Sequence, residues 1–473
     1  FEGMSLVAPD CNYGGKIKSI VATDEHTATF TMCSADPAFE AKAAFIVFGI
    51  QPSEHIAAAG PTKELLTNPI GTGPFKLDAW NRGDSIILKR NDNYWGTKPA
   101  YETLVFRWST SGASQLNELR SGTVDQISTV SPDDFDAVKN DGDLQFLPIM
   151  GPNTLYLGMT NTFAPFDNVK VRKAIGMGID RQRIVDNYFP DGSELASHFT
   201  PCTIPNGCAG EDWYGFDPAA AKALLAEAGF PDGFKTKIYY RDVFRTYLPE
   251  PSTIAVEFQS QLKANLGIDA EVAPMESGEF IGQASAGKLD GFYLLGWGAD
   301  YPHITNFLDY HFGKDTQQFG ASLPEIYEPL AKGSAIADVE AAKPVYEAAN
   351  NAIRELVPMV PISHAAAGSA ARAYVKNAGY RPFGAKQFSL VDPGKDTMVV
   401  MQNAEPISLY CGDESDGARL HAAHRDAARL RTGQRRYRRR SCHELRPECR
   451  WHRVGLSPAR RREVHRRFGF RRQ

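Results

Sequence analysis

Three stretches of this 473-residue chain hold side chains whose types and spacing could do chemistry. His303, Asp309 and His311 could share a metal ion, but their spacing matches no zinc pattern and loop histidines ordinarily face water, so no metal site is expected. Gly71 and Gly73 in "GTGPFK" could bring backbone amides close to a phosphate. The third glycine of a dinucleotide fingerprint is missing, however, and no strand-to-helix passage follows, so no such cofactor is expected. Residues 431–454, "RTGQRRYRRRSCHELRPECRWHRV", hold nine arginines and no lysine, a composition that would neutralise nucleic-acid phosphates. G-x-S-x-G, H-E-x-x-H and G-x-x-x-x-G-K-[ST] are all absent from the sequence, so an enzyme is not expected.

The arginine-rich end stands apart from the rest of the chain. Residues 418–473 hold 19 arginines against four acids, a net of +15, whereas residues 1–417 hold 33 basic and 52 acidic side chains, a net of −19. The acidic body speaks to solubility and to steering of partners, not to the sign of a ligand.

Most of the body alternates strands with helices. "FDPAAAKALLAEAGFPDGF" offers Asp217 as helix cap, Pro218 at the first helical position and Gly229 as the stop. "STIAVEFQSQLKANLGIDAEVAPM" repeats Ile254, Phe258, Leu262 and Leu266 every four residues before Gly267, and a strand follows. "DNVKVRKAIGMGIDRQRIVDNYF" predicts a third helix capped by Asp167, and "FYLLGW" at 292–297 suits a buried central strand. Residues 1–150 are strand-rich instead, with Arg82-Gly83-Asp84 as a hairpin loop and one helix around "ASQLNELRSG". The fold class is therefore α/β.

No apolar run approaches the roughly 20 residues that a membrane helix needs. The chain begins at Phe1 with no charged and apolar leader behind it, which is expected of a fragment or a processed form. Cys202 and Cys208 lie close together in "PCTIPNGC", and Cys11 and Cys33 flank two strands. These cysteines are either disulfides, implying an oxidising compartment, or buried thiols.

Five segments in order, "NPIGTGPFKLDAWNRGDSIILKRNDNYWG", "LNELRSGTVDQI", "FDNVKVRKAIGMGIDRQRIV", "YGFDPAAAKALLAEAGFPDGF" and "GKLDGFYLLGWGADYPHITNFL", resemble the signatures of the peptide- and oligopeptide-binding receptors of ABC importers, the family 5 extracytoplasmic solute receptors. The resemblance spans residues 60–370. It implies a two-lobed, type II periplasmic binding protein-like fold with a mixed sheet in each lobe and a strand hinge. Such a receptor closes on a peptide outside the cytoplasm, in a periplasm or lipid-anchored at the membrane's outer face, and delivers it to a permease. It is expected to act as a monomer, without cofactor or nucleic acid. Relatives also include nickel and haem receptors, so another solute, including an oligosaccharide, is the alternative within the class, and an Arg-tail nucleic-acid binder is the alternative outside it. The implied division is residues 1–65 as a partial strand-rich subdomain of lobe I, 66–150 as lobe I, 151–375 as lobe II, 376–417 as a return into lobe I, and 418–473 as a disordered tail.

The resemblance also places a site. The family's W-x-x-D-Y segment is Trp297-Gly298-Ala299-Asp300-Tyr301 here, which makes Asp300 the carboxylate that pairs with a ligand's free amino group. Trp297 and Tyr301 would wall the pocket. The alternative reading is that Asp300 caps the helix starting near "HITNFL" or opens a turn before Pro302. Tyr94 and Trp95, at the family's N-x-x-Y-W strand end, are expected to pack at the base of lobe I.

One departure concerns order. "DTMVVMQNAEPISLYCGDESDG" at 396–417 resembles the family's opening strand yet follows the last lobe segment, as in a circular permutation. Shifting the codons from Trp451 onward by one nucleotide permits an "LREGVKFTDG"-like run, the family's next segment. A reading frame lost between Gly417 and Ser441 would also account for many arginines without lysine.

Overall fold

The computed structural model describes residues 3–49, 51–59, 64–149, 151–380, 386–406 and 408–410. The stretch 418–473, with the readings attached to it, lies outside these. In chain order, β1 (Ser5–Val7), β2 (Ile17–Asp24) and β3 (Thr27–Met32) form a small antiparallel sheet. A Cys11–Cys33 disulfide joins the approach to β2 to the end of β3. Short helices at Phe39–Ala43, Ser53–Ala59 and Glu64–Thr67 follow; the strand-rich reading did not foresee them.

Next come β4 (Phe75–Asn81), β5 (Ser85–Arg90), β6 (Thr103–Trp108), β7 (Gln126–Ile127) and β8 (Leu144–Ile149). Gly83, at φ +79°, makes the β4–β5 turn, a left-handed conformation that strains any side chain with a Cβ. The helix Gly112–Ser121 is capped by the Ser111 side chain, which accepts from the Ser114 amide, and it stops at Gly122, φ +79°. Its Leu116 and Leu119 pack with Ile127 and Met401 in a core of their own. Trp95 is 48% exposed and lies 5.3 Å from the Tyr94 ring, so it does not pack into the base of the lobe as expected.

The second half supplies β9 (Asn153–Met159), β10 (Glu194–Leu195), β11 (Lys235–Tyr240), β12 (Asp269–Pro274), β13 (Phe292–Gly298) and β14 (Met359–His364). Then come β15 (Ala367–Arg372) and β16 (Thr397–Gln402). Two mixed sheets result, in the orders β4-β5-β6-β16-β7-β15-β8 and β10-β14-β9-β13-β11-β12. Each has its own apolar core, which makes the molecule two-lobed.

Helix signals in the second lobe were mostly legible. Asp217 caps Pro218–Glu227 by accepting from the Ala220 amide at 2.9 Å. Ile254, Phe258, Leu262 and Leu266 of Pro251–Leu266 are fully buried, each stabilising by roughly 1.5–3 kcal/mol, and Gly267 ends that helix at φ +70°. The third stretch is two helices, Val169–Gly178 and Arg181–Tyr188, broken by the extended residue Ile179. Its cap is Asn168, which accepts from the Lys170 amide at 2.9 Å, and not Asp167, whose place is one residue outside the first turn.

Among the described residues the chain passes between the lobes twice, between β8 and β9 and between β14 and β15. β15 lies in the first lobe's sheet, so the return comes before residue 375. "VPMVPISHAAAGSAARAY" reads as one apolar run because nothing but Ala365 and Ala366 marks the passage. β16 is inserted between β6 and β7, parallel to both.

Candidate functional site

Strand direction decides which ends of the two sheets face the crossings. β9 leaves the first crossing at Asn153, and β13 runs antiparallel to it with Gly298 opposite Asn153. The Ala299 amide then donates to the Pro152 carbonyl at 2.9 Å, so Asp300 emerges at the hinge-side end of the second sheet. Across from it, β15 starts just after the other crossing and runs antiparallel to β7, so β7 and its parallel neighbour β16 end on the hinge side too. The carboxyl ends of parallel strands are where α/β sheets place ligands.

Asn153 ties the two crossings together. Its Nδ2 donates to the Ala365 carbonyl at 2.7 Å and to that of Gly151 at 3.0 Å, and its Oδ1 accepts from the Ala365 amide at 2.9 Å. His364 Nδ1 donates to the Asn153 carbonyl at 2.8 Å, and burial pushes this imidazole down to about 4, so it is neutral at ordinary pH.

Around Asp300 the polar groups converge on Asn306, in the helix Thr305–Phe312. Asn306 Oδ1 accepts from Trp297 Nε1 at 2.9 Å and from the Asp300 amide at 3.0 Å, and its Nδ2 donates to Asp300 Oδ2 at 3.3 Å. The N-cap of that helix is Ile304, so Asp300 does not cap it. Trp297, half-buried, stacks on Tyr310 with ring centres 4.4 Å apart and meets His311 edge-on at 5.1 Å. The Tyr301 hydroxyl lies 3.4 Å from Thr305 Oγ1, and Lys42 Nζ sits 5.6 Å from the Tyr301 ring centre. Lys42, in the helix Phe39–Ala43, also pairs with Asp36 at 2.7 Å.

His303, Asp309 and His311 do not converge. His311 is 2% exposed among Trp297, Tyr156, Phe199 and Phe319, its Nδ1 donates to the Phe307 carbonyl at 2.7 Å, and burial pushes it down to about 4. Burial lowers His303, with Lys42 helping, and burial pushes Asp309 up to about 6. Among the described residues no group of three or more His, Cys, Asp or Glu is placed to hold a metal.

Two features escaped the sequence reading. On the first lobe, Asn403 Oδ1, just past β16, accepts from Gln115 Nε2 at 2.9 Å, Ser128 Oγ at 3.0 Å and Thr129 Oγ1 at 2.7 Å. These residues are separated by almost three hundred positions and no spacing rule could join them. Second, burial raises Glu250, with the carboxylates of Asp133 and Asp242 adding to it.

A family model for bacterial extracellular solute-binding proteins, family 5 middle, matches residues 5–319. Di/tripeptide-binding protein 1 of Pseudomonas aeruginosa is 30% identical over 396 residues, 82% of this chain and 73% of that protein. Heme-binding protein A of Haemophilus influenzae is 27% identical over 381 residues, 79% of this chain and 69% of that protein. Among solved structures, a Pseudoalteromonas dipeptide-binding protein in complex with Met-Leu aligns with a TM-score of 0.70 at 26% identity, covering 76% of this chain and 73% of that one. An ABC transporter-associated periplasmic binding protein from Helicobacter pylori, in complex with a peptide, aligns with a TM-score of 0.70 at 25% identity, covering 77% and 72%.

Proposed function

The chain belongs to the bacterial extracellular solute-binding proteins, family 5, and from that membership we propose that it is the substrate-binding component of an ABC importer, which captures peptides between its lobes and hands them to a membrane permease. Relatives named for dipeptides and di/tripeptides support peptide as the solute.

The observation that carries this reading is the carboxylate of Asp300 beside the crossings, already engaged by an amide. A peptide's ammonium meeting it forms a charge-assisted bond of roughly 1.5–3 kcal/mol, stronger as water leaves the closing cleft. Trp297 and Tyr301 supply aromatic walls that tolerate varied side chains. Closure follows binding because only the closed state lets both lobes touch the ligand.

The protein works as a monomer outside the cytoplasm, where the Cys11–Cys33 and Cys202–Cys208 bridges persist, either free in a periplasm or lipid-anchored. Residues 418–473 take no part in solute capture; they are an out-of-frame peptide appended to a permuted chain. A clean open frame in independent nucleotide reads through those codons overturns that part.

The main test is Asp300→Ala. Affinity for free-amine peptides is expected to drop roughly tenfold or more while N-acetylated peptides bind as before. Equal losses for both would reject the role of Asp300, and native mass spectrometry that finds haem or a nickel chelate on the purified protein would reject peptide as the solute.

A further inference from the structure

We infer that Asn306 is the positioning residue of the solute site, holding the Asp300 carboxylate in place for a ligand's ammonium. The inference deepens the peptide-receptor reading and rests on Asp300 as the ligand carboxylate. Asn306 is 5% exposed and makes three side-chain bonds to two residues of the strand end.

An amide side chain carries one acceptor oxygen and one donor nitrogen, and a flip exchanges them. Here the partners fix the choice. The Trp297 indole N–H and the Asp300 backbone N–H can only donate, and both address the same atom, so that atom must be the oxygen. The nitrogen is thereby turned toward Asp300 Oδ2. Asn306 thus bonds the backbone, the carboxylate and the neighbouring indole from one buried side chain, before any ligand arrives.

Two functional consequences follow. A donor aimed at a carboxylate favours its ionised form, the form that attracts an ammonium. Fixing the carboxylate's rotamer in advance also spares the ordering cost that a free side chain would add at binding. Trp297 is held independently by stacking on Tyr310, ring centres 4.4 Å apart, and by its edge-on contact with His311, so the aromatic wall does not depend on this amide alone. Aspartate in place of Asn306 would lack the donor and leucine would lack both functions, so asparagine is the residue the geometry requires.

The test measures binding of a mixed pool of unmodified di- and tripeptides, and of the same pool N-acetylated, to the wild type, Asn306→Ala, Asp300→Ala and the double variant at neutral pH. Asn306→Ala is expected to weaken the free-amine pool roughly tenfold at neutral pH and to leave the acetylated pool unchanged. The double variant should match Asp300→Ala alone, since a group acting through Asp300 has nothing left to position. Additive losses in the double variant, or equal losses for both pools, overturn the inference. If Asp300→Ala keeps the free-amine preference, or the wild type binds neither pool, the peptide reading falls and takes the inference with it. If only Asn306→Ala behaves as wild type, the inference falls alone. Should Asn306→Ala melt too early to assay, Asn306→Ser, too short to reach Oδ2, answers the same question.

Discussion

His364 and Asn153 face each other across the two chain crossings, with the imidazole Nδ1 donating to the Asn153 carbonyl at 2.8 Å. The Asn153 side chain returns the tie by bonding both the amide and the carbonyl of Ala365. The hinge is thus two backbones stitched side by side, which lets them bend together while the lobes stay in register.

Asn153→Ala removes three side-chain bonds from a residue that is 4% exposed and leaves the Ala365 amide and carbonyl without that partner. Leaving buried backbone groups unpaired costs about 1–3 kcal/mol each, so a loss of roughly 2–3 kcal/mol is expected after local relaxation. Urea denaturation checks this. An unchanged midpoint and slope would mean that the stitch adds nothing to the fold.

The pH dependence of stability tests the buried imidazoles. His311 and His364 titrate at about 4 in the folded chain, below their ordinary value near 6.5. In a window from 6.5 down to about 4 the unfolded chain takes up protons that the folded chain refuses, so stability falls with pH across it and is fully present above 6.5. Each histidine contributes on the order of 3 kcal/mol to that fall. His311→Phe fits the surrounding rings and should flatten the acid side by about one proton in melts taken across the window. A slope identical to wild type would show that His311 is charged in the fold.

The sequence rendered these elements unevenly, for physical reasons. Helices with a cap, a fourfold apolar period and a glycine stop, such as Pro251–Leu266, are local objects and were readable. The break at Ile179 was hidden because hydrophobic periodicity continues through it, whereas Gly178 is pressed so close to Leu266 that a Cβ there would meet its side chain at 2.8 Å. Cysteine spacing says nothing of Cα separation, which is 5.5 Å for Cys11–Cys33 and 4.9 Å for Cys202–Cys208, so the sequence alone does not decide the disulfides. Asp300 was reached only through the family resemblance. Asn306, six residues on, matters because a loop folds back over a helix start, and no periodicity encodes that. The insertion of β16 between β6 and β7 is likewise a long-range pairing that composition cannot announce.

Asp309 yields the last prediction, and its sign is opposite to that of the histidines. Its Oδ1 is buried without a hydrogen-bond partner, and burial pushes the group up to about 6, with Lys16 and Lys42 pulling the other way. In the unfolded chain the same carboxyl ionises near 3.8. Above about 6 the folded protein therefore holds a charge it would better hydrate, and that penalty fades as pH falls through 6 and is gone below 3.8. Asn in this place keeps the shape and removes the charge, so Asp309→Asn should raise stability at neutral pH by roughly 1–2 kcal/mol, part of the gain being spent on desolvating the amide. At a pH below 3.8, where the native carboxyl is already protonated, the two proteins should melt together. A gain of equal size at both pH values would trace the effect to packing and leave the buried charge without the cost assigned to it.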